Sequence, residues 1–438
     1  MEKYQQYVNS GFEWIGDIPV QWNNLRLRFV CEFRNGYTPS KANPEFWEDG
    51  TIPWYRMEDI RDSGRKLDEA KQYVTKDAIK GGGLFEAGSF ILATTATIGE
   101  HAVLIVDSLA NQQFTNLKIR KSLSSRLLRD YFFYYLFVID DYCKATTKTS
   151  TFPAVSMELL KNCHVVFPLV QEQQAIVDYL DKKCSEIDNV ISAQQKRIAL
   201  LQELKQSVIT HAVTKGLDPN VEMKDSGVEW IGEVPTCWKV MPIKHIAKTN
   251  SGSTPKNIKG KTNDKCIIKW VRTTDLSDMS DYVYDSSEYL SEEEFNSASC
   301  PWLPKHTVVV AMYGGAGTIG KAGILGIDST INQALCSLEP KRIEHYKYLY
   351  YTIKALRPYW MKLAASSRKD PNISQDIIRN MKVAVPSLSE QQAIAGYLDA
   401  KCSSIDSSIS KAQHQVELLQ EYKQSLITEV VTGKRKVS

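Results

Sequence analysis

The chain is written twice. Gly11-Phe12-Glu13-Trp14-Ile15-Gly16-Asp17-Ile18-Pro19 returns as Gly227-Val228-Glu229-Trp230-Ile231-Gly232-Glu233-Val234-Pro235. Trp22 returns as Trp238, Gly36-x-Thr38-Pro39 as Gly252-x-Thr254-Pro255, and Trp54-Tyr55-Arg56 as Trp270-Val271-Arg272, with Asp59 matched by Asp275. Thr97-Ile98-Gly99 pairs with Thr318-Ile319-Gly320, and Asn111-Gln112 with Asn332-Gln333. Residues 172–213 align without a gap on 390–431, with 26 of the 42 positions identical, a far higher share than in the preceding segments. Two copies of one architecture are therefore required, each a variable globular part followed by a near-constant closing segment.

The closing segments read as long helices. Residues 172–213 contain neither Pro nor Gly, the two common breakers. Apolar residues recur mostly every three or four positions: Ile176, Leu180, Cys184, Ile187, Ile191, Ile198, Leu201, Leu204 and Val208. The second copy repeats the register at Ile394, Leu398, Cys402, Ile405, Ile409, Ala412, Val416, Leu419 and Leu426. Such a stripe makes a coiled-coil-like seam. Pro168 and Pro386 stand just before the helices, and Gly216 and Gly433 just after them, as start and stop signals. A helix of about 43 residues is about 65 Å long. Two helices packed separately on their own domains would also bury the stripe; the likeness of the copies favours a mutual antiparallel pair.

The variable parts read as mixed α/β. Phe90-Ile91-Leu92-Ala93 and Thr307-Val308-Val309-Val310-Ala311 are short buried-strand candidates, as are residues 103–106 and 324–327. The aromatic-rich runs 128–139 and 345–353 read as helices buried on one face. The expected fold is thus a duplicated α/β (α+β) domain, over residues 1–167 and 217–385. Helical spacers over 168–216 and 386–438 form an antiparallel coiled-coil-like pair with pseudo-two-fold internal symmetry.

Composition narrows the class. A length of 438 residues exceeds one ordinary domain, and 43% hydrophobic with 24% charged residues is a globular balance. No run approaches the roughly 18 apolar residues of a membrane span, and the first residues lack the apolar core of a signal peptide. Nine scattered cysteines without a Cys-x-x-Cys pair point to reduced thiols and a cytoplasmic location. The net charge of +3 decides nothing, because nucleic-acid binding depends on where charge is placed.

Catalytic motifs are missing. There is no Gly-x4-Gly-Lys-Ser/Thr phosphate loop. Gly314-Gly315-Ala316-Gly317 is the candidate for a strand-to-helix Gly-rich turn that could approach a cofactor, and its counterpart, Thr94-Thr95-Ala96, has no glycine. Asn43-Pro44-Glu45-Phe46 has the wrong third residue for an adenine methyltransferase motif, and the seven histidines show no metal-ligand spacing. No catalysis is expected from this chain alone.

The combination resembles the specificity subunits of type I restriction–modification systems. The residues that carry the resemblance are Gly36-Tyr37-Thr38-Pro39 and Gly252-Ser253-Thr254-Pro255, both Thr-Ile-Gly and both Asn-Gln motifs, and the two helix openings. Those openings are Pro168-Leu169-Val170-Gln171-Glu172-Gln173-Gln174-Ala175-Ile176 and Pro386-Ser387-Leu388-Ser389-Glu390-Gln391-Gln392-Ala393-Ile394. The resemblance implies that each variable part is a target-recognition domain reading half of a split sequence in double-stranded DNA. The helices would set the gap between the halves. It also implies two methyltransferase subunits and endonuclease/translocase subunits as partners. Those partners would carry S-adenosylmethionine, ATP and Mg, with no cofactor and no metal on this chain. The rival reading is a duplicated coiled-coil scaffold that binds proteins and has no DNA specificity.

DNA readers need basic, hydroxyl and amide groups on protruding loops. The candidates are Thr38, Ser40, Lys41 and Arg56 with Lys144, Lys148 and Thr149 in the first half. In the second they are Thr254, Lys256, Arg272, Ser367, Arg368 and Lys369. Arg56 and Arg272 have a structural alternative, ion pairs with Asp59 and Asp275; the Thr-Pro loops have one as ordinary turns. Trp14, Trp54, Trp230 and Trp270 are expected in cores, since a paired duplex leaves its bases stacked and unavailable to aromatic platforms.

Overall fold

The computed structural model describes residues 3–147, 154–255, 266–278, 280–314, 317–341, 345–365 and 372–437. The chain forms two compact units, Met1–Ala193 with Gln415–Ser438, and Gln194–His414.

In the first unit a five-stranded sheet runs in the order Cys31–Asn35, Phe114–Ile119, Phe90–Ala93, His101–Leu104, Lys66–Leu67. All neighbours are antiparallel except the last pair. A three-stranded sheet sets Ile52–Tyr55 between Leu109–Ala110, parallel, and Tyr73–Val74, antiparallel. The sheet strand Phe90–Ala93 is buried at every position, which is why it is apolar without alternation. Helix α1 (Arg129–Thr147) lays Tyr131, Phe132, Tyr135, Leu136 and Ile139 on that core.

The second unit repeats this plan strand for strand. Its five-stranded order is Ala247–Ser251, Leu335–Pro340, Val308–Ala311, Ala322–Leu325, Tyr282–Val283, again with only the last pair parallel. Its small sheet sets Cys266–Val271 between Thr330–Ile331, parallel, and Tyr289–Ser291, antiparallel. A buried aromatic helix again covers the sheet, Tyr346–Ala365, continuing through Pro358. The duplication read from short motifs extends to the whole topology.

Two further helices close the units: α2 (Val170–Lys215) and, after α3 (Tyr346–Ala365), α4 (Leu388–Val431). Each starts on its own domain and ends on the other. In the first unit Ile176, Leu180 and Ile187 of α2 share one core with Leu426, Ile427, Val430 and Val431 of α4, and Ile191 and Leu419 pack against it. In the second unit the cluster joins Ile394 and Leu398 of α4 to Ile209, Ala212 and Val213 of α2. Ile405 and Ile409 are buried, while Ile198, Leu201 and Val416 are half-buried. The helices run antiparallel in both units. Lys423 Nζ sits 2.7 Å from both Asp188 oxygens in the first, and Lys205 Nζ 2.7 Å from both Asp406 oxygens in the second. Such part-exposed pairs contribute about 0.2–1 kcal/mol each, so they set register more than stability. Leu204 departs from the expected stripe: half of its surface is exposed.

The helix-opening motif has a structural reason. Gln173 is fully buried, and its amide accepts from Leu128 N (2.8 Å) and donates to Arg126 O (2.7 Å) and Pro168 O (2.8 Å). Gln391 repeats this with His345 N (3.0 Å) and Pro386 O (3.1 Å). Each glutamine ties the start of its long helix to the turn before the aromatic helix. Glu172 accepts from Tyr4 (2.6 Å) and Glu390 from Trp238 Nε1 (3.0 Å). Gln174 faces solvent. Gln173→Ala, which strands buried backbone groups, is expected to cost about 2–3 kcal/mol in denaturant unfolding. Gln174→Ala should stay within about 0.5 kcal/mol; equal losses would refute the latch.

Candidate nucleic-acid interface

Three motifs far apart in sequence meet at one end of the small sheet. In the first unit Cys31–Asn35 runs into Gly36-x-Thr38-Pro39, Ile52–Tyr55 into Arg56, and Leu109–Ala110 into Asn111-Gln112. Backbone bonds stitch the three together: Tyr37 N to Ala110 O (2.8 Å), Gly36 N to Phe114 O (2.8 Å) and Asn111 N to Tyr55 O (3.0 Å). The second unit repeats them as Ser253 N to Ile331 O (3.2 Å), Gly252 N to Leu335 O (3.2 Å) and Asn332 N to Val271 O (3.0 Å). The glycines are needed for close approach. A Cβ at Gly36 would collide with the carbonyl oxygens of Ala110 and Asn111, and one at Gly252 with those of Ile331 and Asn332.

On this scaffold the threonine of each loop meets the glutamine of each turn. Thr38 Oγ1 donates to Gln112 Oε1, and Thr254 Oγ1 to Gln333 Oε1. Asn111 and Asn332 face inward, their Oδ1 atoms accepting from Gln113 N (3.0 Å) and Ala334 N (3.1 Å), which shapes the turns. Both glutamines and Thr254 are exposed and Thr38 is half-buried. Ser40 and Lys41 are exposed, and Ser40 O accepts from Trp47 Nε1 (3.1 Å). In the sequence the glutamines stand out only as part of the Asn-Gln motif, not as contact candidates. Only the fold places them beside the threonines.

The ion pairs expected of Arg56 and Arg272 take a different form. Asp59 is buried and spends its carboxylate on backbone, accepting from Arg56 N (2.6 Å) and Lys71 N (2.9 Å). Asp275 accepts likewise from Arg272 N (2.8 Å) and Ser287 N (2.9 Å). Each aspartate therefore caps the turn that follows its arginine. The guanidinium of Arg56 pairs with Glu58, and that of Arg272 with Glu288 (2.9 Å) and Ser287 Oγ (2.9 Å). Both arginine side chains keep close to 30% of their surface exposed.

Lys144 is exposed near the end of α1, its side chain against Gly99 of the Thr-Ile-Gly turn. In the second unit Arg357, the counterpart of Asp140 on the aromatic helix, lies against Gly320 and pairs with Asp278 (2.8 Å). Beneath the first turn lies a buried pair, His101 Nδ1 with Asp140, beside Arg65. Burial holds His101 below the usual imidazole value and raises Asp140 above the usual carboxylate value. Ala322 stands where His101 does, so the pair is private to one unit. Lys148, Thr149, Lys256, Ser367, Arg368 and Lys369 lie outside the described residues. Their described flanks reach the same sheet end: Val155 N bonds Thr94 O (2.8 Å), Thr94 N bonds Gln113 O (2.9 Å), and Ile373 N bonds Met312 O (2.9 Å).

Trp54 and Trp270 are core residues whose Nε1 atoms hold the Thr-Pro loops through Tyr37 O (3.0 Å) and Ser253 O (3.2 Å). Trp14 and Trp230 are only half-buried. Among the described residues no group of three or more His, Cys, Asp or Glu side chains could hold a metal, and no helix is long and apolar enough to cross a membrane. Eight of the cysteines are unpaired, seven of these buried.

The sequence profile of the type I restriction modification DNA specificity domain matches residues 19–200 and again 235–418, so the chain belongs to that family of specificity subunits. It is 41% identical over 172 residues to the EcoprrI specificity subunit of Escherichia coli, a match spanning 38% of this chain and 42% of that protein. It is 23% identical over 430 residues to the MjaIX specificity subunit of Methanocaldococcus jannaschii, spanning 97% of this chain and 95% of that one. A solved chain described under the structural basis of complex assembly and conformational transition of the type I R-M system shares its fold. The TM-score is 0.68 at 15% identity, over 94% of this chain and 98% of that one.

The capping geometry separates arginine from aspartate. Asp59→Ala is expected to cost about 1–3 kcal/mol, since two backbone N–H groups lose their acceptor. Arg56→Ala should cost below about 1 kcal/mol, its ion pair being part-exposed. Chemical denaturation of both variants checks this; equal costs would restore a structural role for the guanidinium.

Proposed function

We propose that the chain reads a bipartite sequence in double-stranded DNA, one half-site per unit, and directs separate methyltransferase and endonuclease subunits to it. One observation carries the reading. Both units present the same loop–turn surface of threonine, part-exposed arginine and exposed glutamine, on a shared topology, while the sequences around it differ. Two readers of different half-sites on a common frame need that division, because phosphate contacts position a protein and base contacts specify the sequence. The unbroken helices would fix the gap between half-sites. Methyl transfer, ATP use and cleavage fall to the partners, which would bind S-adenosylmethionine, ATP and Mg; this chain would bind none of them.

Mapping methylated adenines across the host genome, with this gene present and deleted, tests the reading. The expected result is a split motif, two short defined segments around an undefined gap, that disappears on deletion. An unsplit motif, or methylation that persists unchanged, would overturn it.

Two copies of a partner are favoured by a second repeated feature. Leu200 and Leu204 stand one turn apart on α2, 65% and 50% exposed; Leu418 and Tyr422, at the equivalent positions of α4, are 50% and 52% exposed. Apolar side chains left open at matched helix positions suit a docking face used twice. Leu204→Asp or Tyr422→Asp should each remove one methyltransferase subunit from the co-purified complex, and the double variant both. Unchanged stoichiometry by native mass spectrometry would place docking elsewhere.

A further inference from the structure

We propose that Gln112 and Gln333, each held by the threonine of its Gly-x-Thr-Pro loop, are a duplicated pair of phosphate contacts that seat the two units on the DNA backbone without reading its sequence. The proposal rests on the DNA-reading function above and assigns a role to residues that function leaves open.

The Thr–Gln contact is surplus to the fold. Each loop is already tied down by two backbone hydrogen bonds and by the indole N–H of Trp54 or Trp270. A neutral hydrogen bond at an exposed site adds little stability, because water competes for both partners. What the contact does is orient an amide. The threonine hydroxyl engages the glutamine oxygen, so the planar amide turns its NH2 away from the loop. Gln112 Nε2 has no hydrogen-bond partner among the described residues, whereas the Gln333 amide also meets the Tyr313 hydroxyl.

An amide presented this way offers donors. Glutamine reads adenine through both of its ends, accepting from N6 and donating to N7. With the oxygen turned back to threonine, that bidentate pairing is lost. A phosphate oxygen, which only accepts, is the complementary partner, and glutamine is among the side chains that bind it. The repetition points the same way. A Thr–Gln contact repeated in both units cannot by itself distinguish two half-sites of different sequence, but the phosphodiester backbone is the same under each.

The amide is neutral, which gives the test its discrimination. The full-length chain co-expressed with its methyltransferase partners is titrated, across a salt series, with the duplex defined by methylation mapping and with duplexes altered in one half-site. Gln112→Ala and Gln333→Ala should each weaken binding about three- to ten-fold, equally for all duplexes. The slope of log affinity against log salt should not change, because no counterion-releasing charge is lost. Gln112→Lys should regain affinity and steepen that slope by about one unit. A loss confined to duplexes with an intact first half-site would make Gln112 a base reader and overturn the proposal. So would unchanged affinity in both alanine variants, or a fall in melting temperature that accounts for the loss. If the wild-type complex does not prefer the mapped duplex at all, the DNA-reading function fails first, and this proposal with it.

Discussion

The Tyr131 hydroxyl lies between Val166 O (3.0 Å) and Val431 O (2.9 Å), and that of Tyr348 between Ala384 O (2.9 Å) and Val213 O (3.1 Å). In each case one carbonyl belongs to the strand before a unit's own long helix and the other to the last turn of the helix that arrives from the other half. Both phenols are buried, and burial pushes their pKa well up, so they remain donors at any physiological pH. The rest of the architecture depends on this closure. Neither domain is complete with its own helix, since the cores around Ile427 and Val430 in the first unit, and Ile209 and Val213 in the second, are filled by the incoming one. Burying such side chains is worth about 1.5–3 kcal/mol each, a large fraction of a domain's net stability.

This closure explains the uneven divergence along the chain. A residue in residues 172–213 or 390–431 answers to the helix opposite and to the core it completes. Gln173, Gln391 and the Lys–Asp pairs have one geometry to satisfy in both copies. Strand ends and the loops beyond them do not carry that double constraint. Where they do repeat, at Gly36 and Gly252, local crowding against the neighbouring carbonyls is the cause. The copies also differ inside the scaffold: the buried His101–Asp140 pair of the first unit is replaced by Ala322 and Arg357 in the second.

Much of this was legible in the residues. Repeated motifs announced the duplication, Pro168 and Gly216 bracketed the observed helix Val170–Lys215, and the unalternating apolar runs at 90–93 and 308–311 are buried strands. The limits were equally physical. A stripe of apolar residues tells which face of a helix is buried but not against what, so Ile187 and Ile209 look alike in sequence and enter different cores. Leu204 keeps the spacing of the stripe yet lies on the open face beside Leu200.

The aspartate three residues after each arginine suggested an ion pair, because sequence spacing shows opposite charges and hides competing backbone donors. In the fold, Arg56 N and Lys71 N claim the Asp59 carboxylate first. Thr38, Arg56 and Gln112 were visible as three separate motifs. Their convergence followed from the parallel pairing of Ile52–Tyr55 with Leu109–Ala110, and from Gly36 pressing against the end of that pair. Sequence alone determined what repeats and which residues shun water, because periodicity and steric freedom are local properties. Only tertiary structure decided which halves complete each other and which side chains share a surface, because those depend on long-range backbone hydrogen bonds that leave no mark on residue type.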